Sequence, residues 1–173
     1  MKTLLPLLGL AALAGCQMMP HSSTGTQARA SLDARSGSSV SGQVNLQEAK
    51  DRVRVTAKVS GLKPNSEHGF HVHEKGDCSA PDATSAGGHF NPDGQAHGHH
   101  AQAKRHAGDM PNLVANDKGE ASASFDVEGV RLDEGKHGIL NRAIVVHANP
   151  DDYQSQPAGN AGGRIACGII RKM

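Results

Sequence analysis

From Ser38 onward the chain alternates apolar and polar residues with a period of two. Val40, Gly42, Val44 and Leu46 alternate with Ser41, Gln43 and Asn45. Val53, Val55, Ala57 and Val59 alternate with Arg52, Arg54, Thr56 and Lys58, and Ala121, Ala123, Phe125 and Val127 with Ser122, Ser124 and Asp126. Successive side chains of a strand point to opposite faces, so the pattern predicts half-buried antiparallel strands, apolar inward and polar outward. Turn signals separate them at Gly61-Leu62-Lys63-Pro64-Asn65 and at Asn116-Asp117-Lys118-Gly119. The apolar runs at 143–146 and 165–170 predict strands buried on both faces. No segment shows a capped helix of 3.6-residue period. The expected architecture is all-β, a barrel or sandwich of about eight strands joined in places by long loops. Residues 74–112, rich in Gly, Pro, His and Asp, form one such loop. Loops of that length in a compact domain are usually functional.

The first residues follow a different logic. Lys2 precedes a short apolar run ending in Leu13-Ala14-Gly15-Cys16. A positive start, a short apolar stretch and small residues before a cut describe an export signal. The run is too short for a membrane-spanning helix of about 20 residues. Its end resembles a bacterial lipobox, in which Cys16 is acylated and becomes the mature N-terminus. The alternative is an ordinary cleaved signal with an incidental cysteine. By the same resemblance, Gln17 after the cysteine points to the periplasmic face of the outer membrane. Residues 16–37 are polar and small, and they are read as a flexible lipid-anchored tether. The division expected is thus 1–15 signal peptide, 16–37 tether and 38–173 folded domain.

Composition narrows the partners. A formal net charge of +1 offers no concentrated basic surface for nucleic acid. Setting Cys16 aside as a lipid carrier leaves Cys78 and Cys167, an even pair in an oxidising compartment. The chain also carries eleven histidines, so their spacing must decide what they do. In Gly69-Phe70-His71-Val72-His73-Glu74, residues two apart share a strand face, so His71 and His73 can present both rings to one ion. His89, His97, His106 and Asp109 follow in the long loop. Three imidazoles and one carboxylate make a closed four-coordinate set suited to structural Zn²⁺. His147 ends the buried run 143–146, where an unpaired imidazole would be costly.

Together these motifs resemble the copper/zinc superoxide dismutase family, over nearly the whole stretch from Ser38 to Lys172. The resemblance is carried by the segments around His71 and His73, Gly87-Gly88-His89-Phe90-Asn91-Pro92, Arg105-His106-Ala107-Gly108-Asp109, Val145-Val146-His147, and residues 159–168. It implies an eight-stranded Greek-key barrel. It implies copper at His71, His73, His89 and His147, with His89 bridging to zinc held by His97, His106 and Asp109. Asp151 would accept hydrogen bonds from His71 and His97, and Cys78 would pair with Cys167. Arg164 would guide the superoxide anion to copper, which cycles between Cu²⁺ and Cu⁺ to release dioxygen and hydrogen peroxide. His89 would carry a proton between the half-reactions. The setting implied is antioxidant defence in the cell envelope.

Two features depart from the eukaryotic form and look like the bacterial branch. Cys78 follows His73 closely, and residues 148–163 are short, with Asp151 and Asp152 their only charges. The steering charges of the eukaryotic enzymes are therefore missing, and Lys75 and Lys104 are no more than candidates for their role. A homodimer of bacterial type is compatible with these loops. The other histidines are read plainly: His21 and His137 solvated, His68 packed or hydrogen-bonded, His99 and His100 exposed in the loop, with auxiliary copper capture or competition with His97 for zinc as the alternative for the last two. A copper-storing lipoprotein would dispense with Arg164, and a zinc-stiffened module would dispense with the His71–His73 pair. This chain has both.

Overall fold

The alternating segments form strands whose inward residues meet across the sheet. In chain order the elements are β1 (Gln27–Ala34), β2 (Ser41–Ala49), β3 (Arg52–Ser60), β4 (Glu67–His68), β5 (Phe70–His73), β6 (Leu113–Val114), β7 (Ala121–Glu128), β8 (Ala143–His147), β9 (Arg164–Ile169) and β10 (Arg171–Lys172). They come from a computed structural model that describes residues 25–173. The expectations for the signal segment, Cys16 and His21 lie outside the described residues. One curled antiparallel sheet runs β5-β8-β9-β1-β2-β3-β7, with β10 also on β1. β4 and β6 pair separately. Among the described residues the only helical turn is a 3₁₀ turn at Thr84–Ala86.

Register explains the core. Val44 stands opposite Ala30 on β1 and Ala57 on β3, and Val55 opposite Leu46 and Phe125. With Phe70, Val72, Ile144, Val146 and Ala166 these side chains form the main cluster inside the curl. β8 is buried on both faces, because its other face, Ala143 and Val145, packs with Cys78, Ala83, Ala86 and Cys167 beneath the disulfide loop.

The expected tether is corrected here. Residues 27–34 are a strand in the sheet, and Ala28, Ala30 and Leu32 are at most 2% exposed. The alternation was present, but two of its three inward residues are alanines, whose apolar signal is weak. The loop that follows β1 grips the segment bonded to β9 through Cys78: Arg35 Nε donates to the Cys78 carbonyl at 3.0 Å and Ser36 N to the Pro81 carbonyl at 2.8 Å.

The fold positions the histidines through two irregularities. First, the free edge of β5 is completed by the long loop. Phe90 N donates to the Val72 carbonyl at 2.8 Å, and Val72 N to the Gly108 carbonyl at 3.0 Å. His73 is thereby bridged to His89, and His71 to Asp109. Second, the β8–β9 register shifts between Val146 and His147, so that His147 pairs with Arg164. Such bulges re-aim side chains and recur beside active sites.

Candidate metal centre

β5 turns Phe70 and Val72 into the core, so His71 and His73 face the other way, under the loops. Both are fully buried. Each ring has one nitrogen tied down. His71 Nε2 donates to Asp151 Oδ2 at 2.8 Å, His73 Nδ1 to the Gly87 carbonyl at 3.0 Å, and His147 Nδ1 to the Gly162 carbonyl at 3.2 Å. The opposite nitrogens are left facing one another. His71 Nδ1 and His89 Nε2 are buried with no hydrogen-bond partner, and the Nε2 atoms of His73 and His147 lie 3.3 Å apart.

The second set gathers around one oxygen. Asp109 Oδ1 lies 2.9 Å from His89 Nδ1, 3.1 Å from His97 Nδ1 and 3.4 Å from His106 Nδ1. Asp109 Oδ2 accepts the backbone N–H of His106 at 2.9 Å and of Gly98 at 3.2 Å, which fixes the carboxylate. His97 Nε2 donates to Asp151 Oδ1 at 2.9 Å, leaving its Nδ1 without a hydrogen-bond partner. In each set, His71-His73-His89-His147 and His89-His97-His106-Asp109, the donor atoms lie within 4.8 Å of one another. His89 belongs to both. Every residue anticipated for the two ions is therefore brought together.

Electrostatics prepare these groups for a cation. Burial lowers His147 to about 3 and His89 to about 4, and it takes His73 well below its ordinary value. Those rings are neutral at neutral pH and present lone pairs. Burial raises Asp109 and Asp151, but hydrogen bonds from the surrounding histidines outweigh it and hold both carboxyls well below the usual range. Burial also lowers His97, yet the two carboxylates that flank its ring, Asp109 and Asp151, prevail and raise it to about 9. An ion bound at His97 would thus displace a proton, as ligation requires.

Arg164 lies beside the first set. Its Nη1 donates to the Ala83 carbonyl at 2.7 Å and its Nη2 to the Gly87 carbonyl at 2.6 Å. The Gly87 carbonyl is the one that also orients His73. Burial lowers the guanidinium from its ordinary value, but a guanidinium keeps its charge in proteins. Cys78 and Cys167 are bonded, with Cα atoms 5.8 Å apart, and fasten this loop to β9. The bond belongs to an oxidising compartment outside the cytoplasm.

A family model described as "Copper/zinc superoxide dismutase (SODC)" matches residues 40–170. The chain belongs to that family. A copper/zinc superoxide dismutase is an oxidoreductase, and this one takes copper and zinc as cofactors and superoxide as substrate. "Superoxide dismutase [Cu-Zn] 2" of Aquifex aeolicus is 46% identical over 136 residues, covering 76% of this chain and 80% of that protein. "Superoxide dismutase [Cu-Zn]" of Deinococcus radiodurans is 37% identical over an aligned length of 182, covering 98% and 96%. Among solved structures, the "clock protein EA4" superposes with a TM-score of 0.78 at 37% identity, covering 90% of this chain and all of that one. A double mutant of a "SOD-like protein from Bacillus subtilis" gives 0.75 at 36% identity, covering 83% and 96%.

Several residues around the metal sites of this dismutase carried no sequence signal. The Asn112 side chain accepts the Asp151 N–H and donates to the Asp151 carbonyl, both at 3.0 Å. Gly159 has φ of +63°, and a Cβ there would fall 1.7 Å from Asp151 Oδ1 and 2.8 Å from His97 Nε2. Gly159→Ala is therefore expected to push Asp151 off His97 and weaken metal binding at the set that contains His97 by roughly 10–100-fold in chelator competition. Of the histidines read plainly, His68 is hydrogen-bonded, through Nδ1 to the His147 carbonyl and Nε2 to Ser66 Oγ, both at 2.8 Å. His137 is not simply solvated, for its Nε2 lies 2.8 Å from Asp93 Oδ2. His99 and His100 are half-buried rather than exposed, with the His99 ring 4.6 Å from that of Tyr153.

Proposed function

We propose that His71, His73, His89 and His147 hold copper, that His89, His97, His106 and Asp109 hold zinc, and that Arg164 receives the superoxide anion. One observation carries this reading: both donor sets converge on the two nitrogens of a single ring, His89, whose Nε2 is buried and unpartnered. Histidine ligands need their second nitrogen fixed by an acceptor, and His71, His73, His97 and His147 each have one.

When bound, copper supplies one-electron chemistry between Cu²⁺ and Cu⁺, while zinc, closed off by four ligands, serves structure. The rest is done by side chains. Two superoxide ions and two protons yield one dioxygen and one hydrogen peroxide, so the site must attract an anion and hold a proton. Arg164 does the first. Two of its nitrogens are anchored to carbonyls, and its remaining N–H donors can meet a diatomic anion in a charge-assisted hydrogen bond. His89 does the second at Nε2, where no protein acceptor competes. Asp151 joins the sites by holding one ring of each set in a single tautomer.

Arg164→Ala is the sharpest functional test. Loss of a charged hydrogen bond of about 1.5–3 kcal/mol predicts a fall of roughly 10–100-fold in kcat/KM, with copper content unchanged. His147→Ala should lose copper itself. Equal activity in wild type and Arg164→Ala would remove the anion-guiding role.

The proposal extends to the cell. Residues 1–15 act as a lipoprotein signal, Cys16 is acylated, and a tether now ending before Gln27 links lipid to domain on the periplasmic face of the outer membrane. The enzyme there protects the envelope, as a homodimer of bacterial type. Mass measurement of the mature N-terminus tests the anchor, and sedimentation of the metal-loaded domain tests the dimer.

A further inference from the structure

His97 belongs to no strand, yet its backbone is paired as if it did. Gln156 Oε1 accepts the His97 N–H at 2.9 Å, and Gln156 Nε2 donates to the His97 carbonyl at 2.9 Å. A residue in a sheet receives this pair of bonds from a neighbouring strand. Here one carboxamide provides both, from the loop of residues 148–163. The amide orientation is fixed by these partners, because His97 offers one donor and one acceptor; a third bond, from Nε2 to the Gln154 carbonyl at 3.2 Å, agrees with it.

The same loop carries Asp151, which holds the His97 ring at Nε2. An imidazole reaches its ion correctly only if both its ring torsion and its Cα position are set. Asp151 governs the torsion. The Gly98 N–H bond to Asp109 Oδ2 steadies the peptide after residue 97, but without Gln156 the peptide before it could rock while the Asp151 contact persisted, and Nδ1 would move relative to Asp109 and His106.

We infer that Gln156 is a positioning residue for the zinc site: it fixes the backbone of His97 and thereby sets how long zinc is retained. The inference rests on the assignment of His97 as a zinc ligand. Gln156 itself is exposed and both bonds are only part-buried, so water competes for them. Its effect should therefore appear in the lifetime of the bound ion more than in the stability of the fold.

The test uses the oxidised protein loaded with one copper and one zinc, challenged with a colorimetric zinc chelator. Gln156→Ala is expected to release zinc about tenfold faster, at the low end of what orienting partners contribute, and to keep its copper. Gln156→Glu keeps the acceptor for the His97 N–H and should recover part of the lifetime. With Co²⁺ in place of zinc, the visible bands of Gln156→Ala should shift, reporting altered ligand geometry that a mere loss of stability would not produce. Gln154→Ala, which retains its backbone carbonyl, should match wild type throughout. Wild-type release rates and cobalt bands in Gln156→Ala, alongside zinc loss in His97→Ala, would overturn the inference and leave the ligand assignment standing. Full zinc retention by His97→Ala would overturn the assignment itself.

Discussion

Asp151→Ala is expected to weaken both metal sites at once, each by roughly 10–100-fold, with a corresponding loss of dismutase activity at limiting metal. The carboxylate is buried and both its oxygens are committed. Oδ2 accepts from His71 Nε2 at 2.8 Å, and Oδ1 accepts from His97 Nε2 at 2.9 Å and from the Tyr153 N–H at 2.7 Å. Its removal leaves the two ring N–H groups buried without an acceptor, at about 1–3 kcal/mol each. It also frees each ring to present the wrong nitrogen. The backbone of Asp151 is held independently by Asn112, so the loop should stay in place and the loss should be one of ligand orientation. Copper and zinc competition titrations would read the two affinities separately. A variant in which only one of them falls would mean that the carboxylate does not couple the sites.

The second large effect concerns the fold beneath the site. Cys78 and Cys167 are 89 positions apart, and closing a loop of that length removes about 4–5 kcal/mol of unfolded-chain entropy. The double replacement Cys78→Ser/Cys167→Ser should lower Tm by roughly 8–20 °C for a domain of this size. Function should suffer beyond stability. The bridged loop supplies the carbonyls of Ala83 and Gly87 that hold Arg164, and the Gly87 carbonyl also orients His73. Arg35 and Ser36 still grip the loop through the carbonyls of Cys78 and Pro81, so a folded but slower enzyme is expected below its Tm. Unfolding scans and kcat/KM at a fixed temperature separate the two losses. An unchanged Tm would refute the first expectation, and unchanged kcat/KM the second.

The long strands and the metal ligands were legible because each leaves a local mark. β2, β3 and β7 alternate Val, Leu and Phe with polar residues, and a histidine in a buried run is chemically conspicuous. β1 was missed because Ala28 and Ala30 bury little area and sit among small polar residues. β4, β6 and β10 have two residues each, too few for any period. Their existence depends on what lies beside them. The partners of the ligands were invisible for a related reason. Asn112 meets Asp151, and Gln156 meets His97, across loops with no period, through tertiary contacts that nothing nearby in sequence dictates. Gly159 is needed because its backbone is left-handed and because Asp151 and His97 pass so close to it. The bulge that sets Arg164 opposite His147 could be seen only in the paired strands.

The central claim is that one ring, His89, serves two different ions. Anomalous diffraction from crystals of the metal-loaded enzyme, collected at the copper and at the zinc absorption edges, addresses it directly. The account predicts a copper peak about 2 Å from His89 Nε2 and a zinc peak about 2 Å from His89 Nδ1, near Asp109. Peaks that do not share His89, or no additional peak beside His89 Nδ1 on crossing the zinc edge, would contradict it.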